Sequence, residues 1–235
     1  MAKQKETRIS AKTLGAINMP DFCPRCFWIK EKCKQLPFQI FPGIFSSIDA
    51  YSKNMVHAHI DKHGIAPLSM FPSLKGVTGY LPTLHWSKYK RLDPTTGITV
   101  SGVPDGRLLM ESGNLIVPDY KAAKHTENAD KLLPIYEAQL NGYRWIEEGL
   151  GNSVESTPLI YCEPVTDVTP GHWIGNLSGF CMDFKISVVN VDRKPDLIPN
   201  LLSTAKDIIE MDKPPTGAEG CKDCGKLSNL VELVS

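Results

Sequence analysis

The sequence predicts a single mixed α/β (α+β) domain, with a small central mixed sheet flanked by helices and its termini tied by a four-cysteine metal site. Three observations predict it. The chain has 235 residues, room for one sizeable domain and short for two, since domains usually run to about 100–200 residues. The hydrophobic periodicity runs as helices, a strand pair, a helix and more strands, which is not the regular alternation of a doubly wound sheet. Two Cys-x-x-Cys pairs, Cys23–Cys26 and Cys221–Cys224, lie near opposite ends. The expected organisation is one domain over 1–235, with a core of about 43–195 and cysteine-bearing segments at 1–42 and 196–235.

Each element follows from local chemistry. Ser10 is an N-cap for a short helix through about Asn18, stopped by Pro20. Cys23-Pro24-Arg25-Cys26 opens a second short helix towards Lys34, and Leu36 to Pro42 is an extended, proline-bounded connection. Phe45, Ile48, Tyr51, Met55, Val56 and His59 recur at helical spacing, predicting an amphipathic helix from about Phe45 to Lys62. Gly64 to Leu92, rich in Pro and Gly, is the least legible stretch. Ile98 to Leu109 is strand-like, interrupted by a turn at Pro104-Asp105-Gly106, and Leu115-Ile116-Val117 is a buried-type strand running out through Asp119 and Lys121. Pro134 starts a helix that Gly149 ends. Leu159–Cys162 and Phe180–Val191 read as further strands, and Leu197–Met211 as a closing helix.

Composition narrows the function classes. With 42% hydrophobic and 22% charged residues the chain has the make-up of an ordinary globular protein. No apolar run reaches the roughly 18 residues of a membrane span. The polar start, Met1 to Glu6, leads into no apolar signal core, so a cytoplasmic protein is expected. The 26 basic and 26 acidic side chains cancel, which argues against a surface that clings to nucleic acid everywhere. The charge is uneven, however. Residues 1–35 carry eight basic groups against three acidic ones, and Lys88, Lys90 and Arg91 form a second basic cluster. Either is a phosphate-facing patch or a solvated face.

The chemistry concentrates in the middle of the chain. Asp119 and Lys121 stand two apart on a strand, so both side chains leave one face. Asp105, at the turn of the preceding hairpin, can come alongside Asp119. Two carboxylates brought together repel unless a cation lies between them, and hard oxygen ligands suit Mg2+ or Mn2+. Lys121 then points at the same place, where it can orient water or hold charge on a phosphate. Taken alone, Asp-x-Lys fits an exposed charge pair at a strand end better than a catalytic site. Gln139 and Tyr143, one helical turn apart, add two hydrogen-bonding groups on a helix that otherwise packs on the sheet.

Gly102-Val103-Pro104-Asp105-Gly106, Val117-Pro118-Asp119-Tyr120-Lys121 and Gln139-x-x-x-Tyr143 together resemble the second, third and trailing motifs of RecB-like PD-(D/E)XK nucleases. The resemblance spans roughly residues 43–165. It implies a restriction-endonuclease-like core, Asp105 and Asp119 as metal ligands, Lys121 as the catalytic lysine, and Gln139 and Tyr143 touching the substrate strand or bracing the site. It further implies metal-dependent hydrolysis of DNA, single-stranded or at ends. Where the family often presents a histidine from the preceding helix, this chain has Asp49; His57 and His59 fit the register less well.

An odd count of seven cysteines argues against a disulfide framework. Two Cys-x-x-Cys pairs can offer four thiolates to one centre, either Zn2+ or an iron–sulfur cluster. Cys23-Pro24-Arg25 is similar to the early cysteine element of the iron–sulfur-bearing CRISPR adaptation and AddB-type nucleases, although those use one early and three late cysteines. Cys33 is a spare ligand, and Cys162 and Cys181 are expected to be buried in strands. Besides a nuclease, the sequence admits a catalytically inactive, cysteine-clustered module that binds nucleic acid or protein. A zinc-ribbon regulator leaves the Asp–Lys–Gln–Tyr series without a role.

Overall fold

Ser10 closes a short strand and caps the helix after it. Strand β1 (Arg8–Ser10) passes into helix α1 (Ala11–Gly15), whose Thr13 amide donates to Ser10 Oγ at 3.0 Å; this is the expected N-cap. In this computed structural model residues 6–33, 43–69, 71–126, 131–167, 173–174 and 179–234 are described. The connection expected over Leu36–Pro42 lies outside them. After a 3-10 turn at Ala16–Asn18 come α2 (Pro24–Cys33) and α3 (Ile44–His63). Then follow β2 (Val77–Tyr80), β3 (Lys90–Leu92), β4 (Thr99–Ser101), β5 (Leu108–Met110), β6 (Leu115–Ile116) and β7 (Asp119–Lys121). Helix α4 (Leu133–Gly149), β8 (Val154–Pro164), β9 (Trp173–Ile174), β10 (Gly179–Phe180), β11 (Phe184–Val191), α5 (Leu197–Ile209) and α6 (Lys222–Val234) complete the order. No helix among the described residues is long and apolar enough to cross a membrane.

The main sheet is mixed, in the order β11-β8-β6-β5-β2, with β7 also on β8. Strand β8 is its centre, antiparallel to β11 and parallel to both β6 and β7. Strands β6 and β7 follow one line broken at Val117-Pro118. Val117 still donates to Ser156 O at 3.0 Å, but Pro118 has no amide to continue the ladder. Alternation along these strands makes two cores. Leu115, Val117, Leu159 and Tyr161 pack with Leu14, Leu140, Ile146 and Leu202 on one face. Ile116, Tyr120, Ile160 and Cys162 pack with Val56, Ile60 and Phe71 on the other. Helices thus flank a mixed sheet on both sides, the predicted fold class.

A smaller sheet joins β1, parallel to β4, and β3, antiparallel to β4. It corrects one expectation. Asp105 does not sit in the turn of a hairpin, because β4 pairs with β1 and β3 whereas β5 pairs with β2 and β6. Instead it lies where the chain crosses between sheets. Between the two strands residues 102–107 form no ladder and Pro104 has no amide to offer one, so the chain leaves one sheet before it enters the other.

Other expectations shift more modestly. In α3 the buried stripe is Ser52, Val56 and Ile60, while Tyr51 is 64% exposed. The long strand begins at Phe184, not Phe180; Cys181 lies before it and is exposed, in contrast to buried Cys162. The chain does not close with α5. Helix α6 follows, and its Leu230, Val231 and Leu233 are exposed, so core packing had imposed no readable periodicity on it.

Candidate functional site

Strand parity places the acids. Asp119 and Lys121 leave β7 on the α4 side and Tyr120 on the α3 side, as alternation requires. Asp119 is 1% exposed. Its Oδ1 accepts from Gln139 Nε2 at 3.1 Å, and its Oδ2 lies 2.5 Å from Lys121 Nζ. Gln139 Nε2 also donates to the Tyr143 hydroxyl at 2.6 Å, which the one-turn spacing on α4 allows. The Lys121 ammonium stands 5.0 Å from the centre of the Tyr136 ring.

Asp105 arrives from the crossing between sheets and is pinned by the Tyr120 amide, which donates to its Oδ2 at 2.9 Å. Its Oδ1 accepts from Lys53 at 3.0 Å, and the same ammonium donates to Asp49 Oδ2 at 2.8 Å. Asp49, Asp105, Asp119, Lys121, Gln139 and Tyr143 therefore line one cleft of about 310 Å3, together with Lys12, Ser46 and Tyr136. His57 and His59 are elsewhere: His57 stacks on Tyr80 with ring centroids 3.9 Å apart, and His59 Nδ1 lies 2.9 Å from Ile65 O.

Lys53 and Lys12 are the residues sequence reasoning missed. Lys53 is four residues after Asp49 on α3, the spacing of an intrahelical pair, so its place beside Asp49 was available. Its bridge to Asp105 was not, since that spans 52 residues. Lys12 was visible only as one charge in a basic segment.

Burial is the largest influence on Asp119. It pushes the carboxyl up to about 6; Lys121 opposes it, and the neighbouring Asp105 and Asp49 reinforce it. Burial likewise raises Tyr143, with Asp119 adding to the effect. On Lys53 burial acts downward, yet Asp105 and Asp49 leave the ammonium held above its ordinary range. Carboxylates are the ligand type that suits a hard divalent cation, but among the described residues only the four cysteines bring three or more such ligand atoms within 4.8 Å of one another. Asp49 Oδ1 and Gln139 Oε1 are buried acceptors with no hydrogen-bond partner among the described residues. An unpaired buried acceptor costs about 1–3 kcal/mol.

The second centre joins the ends of the chain. Cys23 and Cys26 at the start of α2 meet Cys221 and Cys224 at the start of α6, with all four sulfurs within 4.8 Å of one another. Sγ separations are 3.6 Å for Cys23–Cys224, 3.5 Å for Cys26–Cys224 and 3.7 Å for Cys26–Cys221. Burial alone would raise the Cys23 thiol, but the Ala218 amide donates to its sulfur at 3.3 Å, and with its other hydrogen bonds the thiol is lowered to about 6. Burial and the neighbouring sulfurs raise Cys26. Such a four-sulfur group can bind a metal, either Zn2+ or an iron–sulfur cluster. Cys33 is exposed and outside the group.

No family model matches this chain, and no curated protein matches it. Among solved structures it is similar to the one described as "Crystal structure of SSO0001", with 17% identity and a TM-score of 0.42 over 90% of this chain and 80% of that one.

Proposed function

We propose that this chain is a divalent-metal-dependent nuclease of the RecB-like PD-(D/E)XK type, hydrolysing phosphodiester bonds of DNA. One observation carries the reading. Asp49, Asp105, Asp119 and Lys121, drawn from three separate segments, line a single cleft braced by Gln139 and Tyr143. Asp49, Asp105 and Asp119 would hold Mg2+ or Mn2+. When bound, the ion supplies an activated water and stabilises charge on the phosphate. Gln139 fixes the Asp119 carboxylate from behind, leaving Oδ2 towards Lys121. Lys121 is held between Asp119 and the Tyr136 ring, a cation ready to face the phosphate.

Labelled DNA incubated with purified protein and Mg2+ or Mn2+ should be degraded. Asp119→Ala and Lys121→Ala should each reduce the rate at least about a hundredfold with an unchanged circular dichroism spectrum. Activity that survives Asp119→Ala removes the mechanism. Lys53, a cation already bridging two of the acids, favours a second reading, a catalytically inactive binding module. Absence of cleavage by folded wild-type protein with both metals would select it.

For the cysteine centre we infer one tetrahedral Zn2+. Four thiolates at about 2.3 Å from one ion stand about 3.8 Å apart, close to the 3.5, 3.6 and 3.7 Å of three of the six sulfur pairs, and all four sulfurs lie within 4.8 Å of one another. A 4Fe–4S cubane alternates iron and sulfide at its corners and binds each thiolate to a different iron, so its thiolates stand farther apart. Colourless protein with zinc equimolar to chain is expected; brown protein containing iron and sulfide overturns the assignment.

A further inference from the structure

Two basic runs far apart in sequence meet on the small sheet. Arg8 pairs in register with Thr99, and Lys90 with Ser101 on the other side of β4. Beside them Trp86 is 59% exposed, and the Arg8 guanidinium lies 5.7 Å from its ring centroid. The contrast with Arg91 and Trp145 is informative. There the guanidinium lies 4.2 Å from the ring centroid and also donates to Trp145 O at 2.7 Å, on a ring that is only partly exposed. The Arg8–Trp86 pair is more open, its indole 59% exposed, with the tilted His85 ring 5.3 Å from it. Lys88, two residues on, is exposed, and among the described residues it has no ion-pair partner. Lys90 is exposed too, its nearest carboxylate being Glu6 at 3.9 Å.

Two connections lead from this platform to the cleft. Lys12, which lines the cleft, follows Arg8 by four residues, at most about 14 Å of chain. On the other side the Gly102 amide donates to Tyr89 O at 3.2 Å, tying the Trp86 segment to the stretch that delivers Asp105. Lys53 and Lys121 are paired with the acids. Lys12 has no ion-pair partner among the described residues, so its charge is available to an incoming anion.

We propose that Trp86, with Arg8 against its ring, is a base-stacking subsite for single-stranded nucleic acid on its way into the cleft, with Lys12 and Lys88 taking the adjoining phosphates. The proposal deepens the nuclease reading by naming how its substrate is held. An unpaired base has a free π-face for an exposed indole, whereas bases in a duplex already stack on one another. The phosphate contacts make binding salt-dependent, and the stacking makes it tolerant of sequence.

The test is fluorescence anisotropy with a short fluorescein-labelled oligothymidylate, without added divalent metal so that no cleavage intervenes. Trp86→Ala should weaken binding about tenfold, the lower part of the range for loss of a stacked base, and Trp86→Phe should retain most of the affinity. An abasic oligonucleotide of equal length should bind the wild type and Trp86→Ala equally, and a labelled duplex should not distinguish them. Unchanged affinity in Trp86→Ala, or an equal loss on the abasic strand, overturns the subsite. A cleavage assay of the wild type with Mg2+ or Mn2+, run beside this titration, separates the two readings. A protein that never cleaves but still loses single-strand affinity with Trp86→Ala refutes the nuclease and leaves the subsite standing.

Discussion

Lys53 Nζ lies 3.0 Å from Asp105 Oδ1, joining residues 52 positions apart, and the same ammonium bonds Asp49. A charge internal to the protein thus neutralises two acids that would otherwise repel. Any divalent ion seated by those oxygens meets this ammonium as a like charge. Lys53→Met removes the competitor and keeps much of the side chain's bulk. Mn2+ affinity, measured by calorimetry, should then rise about tenfold, a change of about 1.4 kcal/mol. Weaker binding would mean that Lys53 chiefly holds the acids in place.

Asp119 makes metal-free stability depend on pH. Its carboxyl rises from 3.8 to about 6 in the fold, so the folded state binds the proton more tightly than the unfolded state does. Stability is therefore lost as pH climbs from about 4 through 6. Asp119→Asn has no such titration. Between about pH 4 and pH 7 it should gain on the wild type by roughly 2–3 kcal/mol, measured by urea unfolding in the absence of divalent metal. A constant difference across that range contradicts the burial argument.

Away from the cleft, Arg107 and Glu147 form a buried pair, 7% and 0% exposed at their side chains, with bonds of 2.9 and 3.2 Å. Asn152 donates to the same carboxylate at 2.7 Å. Arg107→Met would leave that charge buried without its counterion. The expected cost is about 3–5 kcal/mol, read as a lower midpoint in urea.

Gly102 is required by packing against helix α4. A Cβ there would stand 2.7 Å from Tyr143 Cε1 and 3.2 Å from Cδ1, so the ring must move, and with it the hydroxyl that Gln139 bonds. Gly102→Ala should lower the cleavage rate and cost about 1–3 kcal/mol. Val103→Ala at the neighbouring exposed position should change neither by comparison. Equal rates for the two variants would show that the Gln139–Tyr143 contact is dispensable.

Sequence alone determined the elements that local chemistry controls. Ser10 as a cap, Pro134 at a helix start, the period of α3 and the two-residue parity of Asp119 and Lys121 all follow from neighbouring residues, and so do the two Cys-x-x-Cys pairs as candidate ligands. Tertiary structure decided what depends on burial between distant segments. It put β4 and β5 in different sheets, β4 against β1 and β3 and β5 against β2 and β6. It also turned α3 to carry Lys53 against Asp105, and it set α2 beside α6 so that four sulfurs meet. Periodicity reports which face of a segment is apolar. Which partner covers that face, and which charges then meet across the chain, is settled only when the whole core closes.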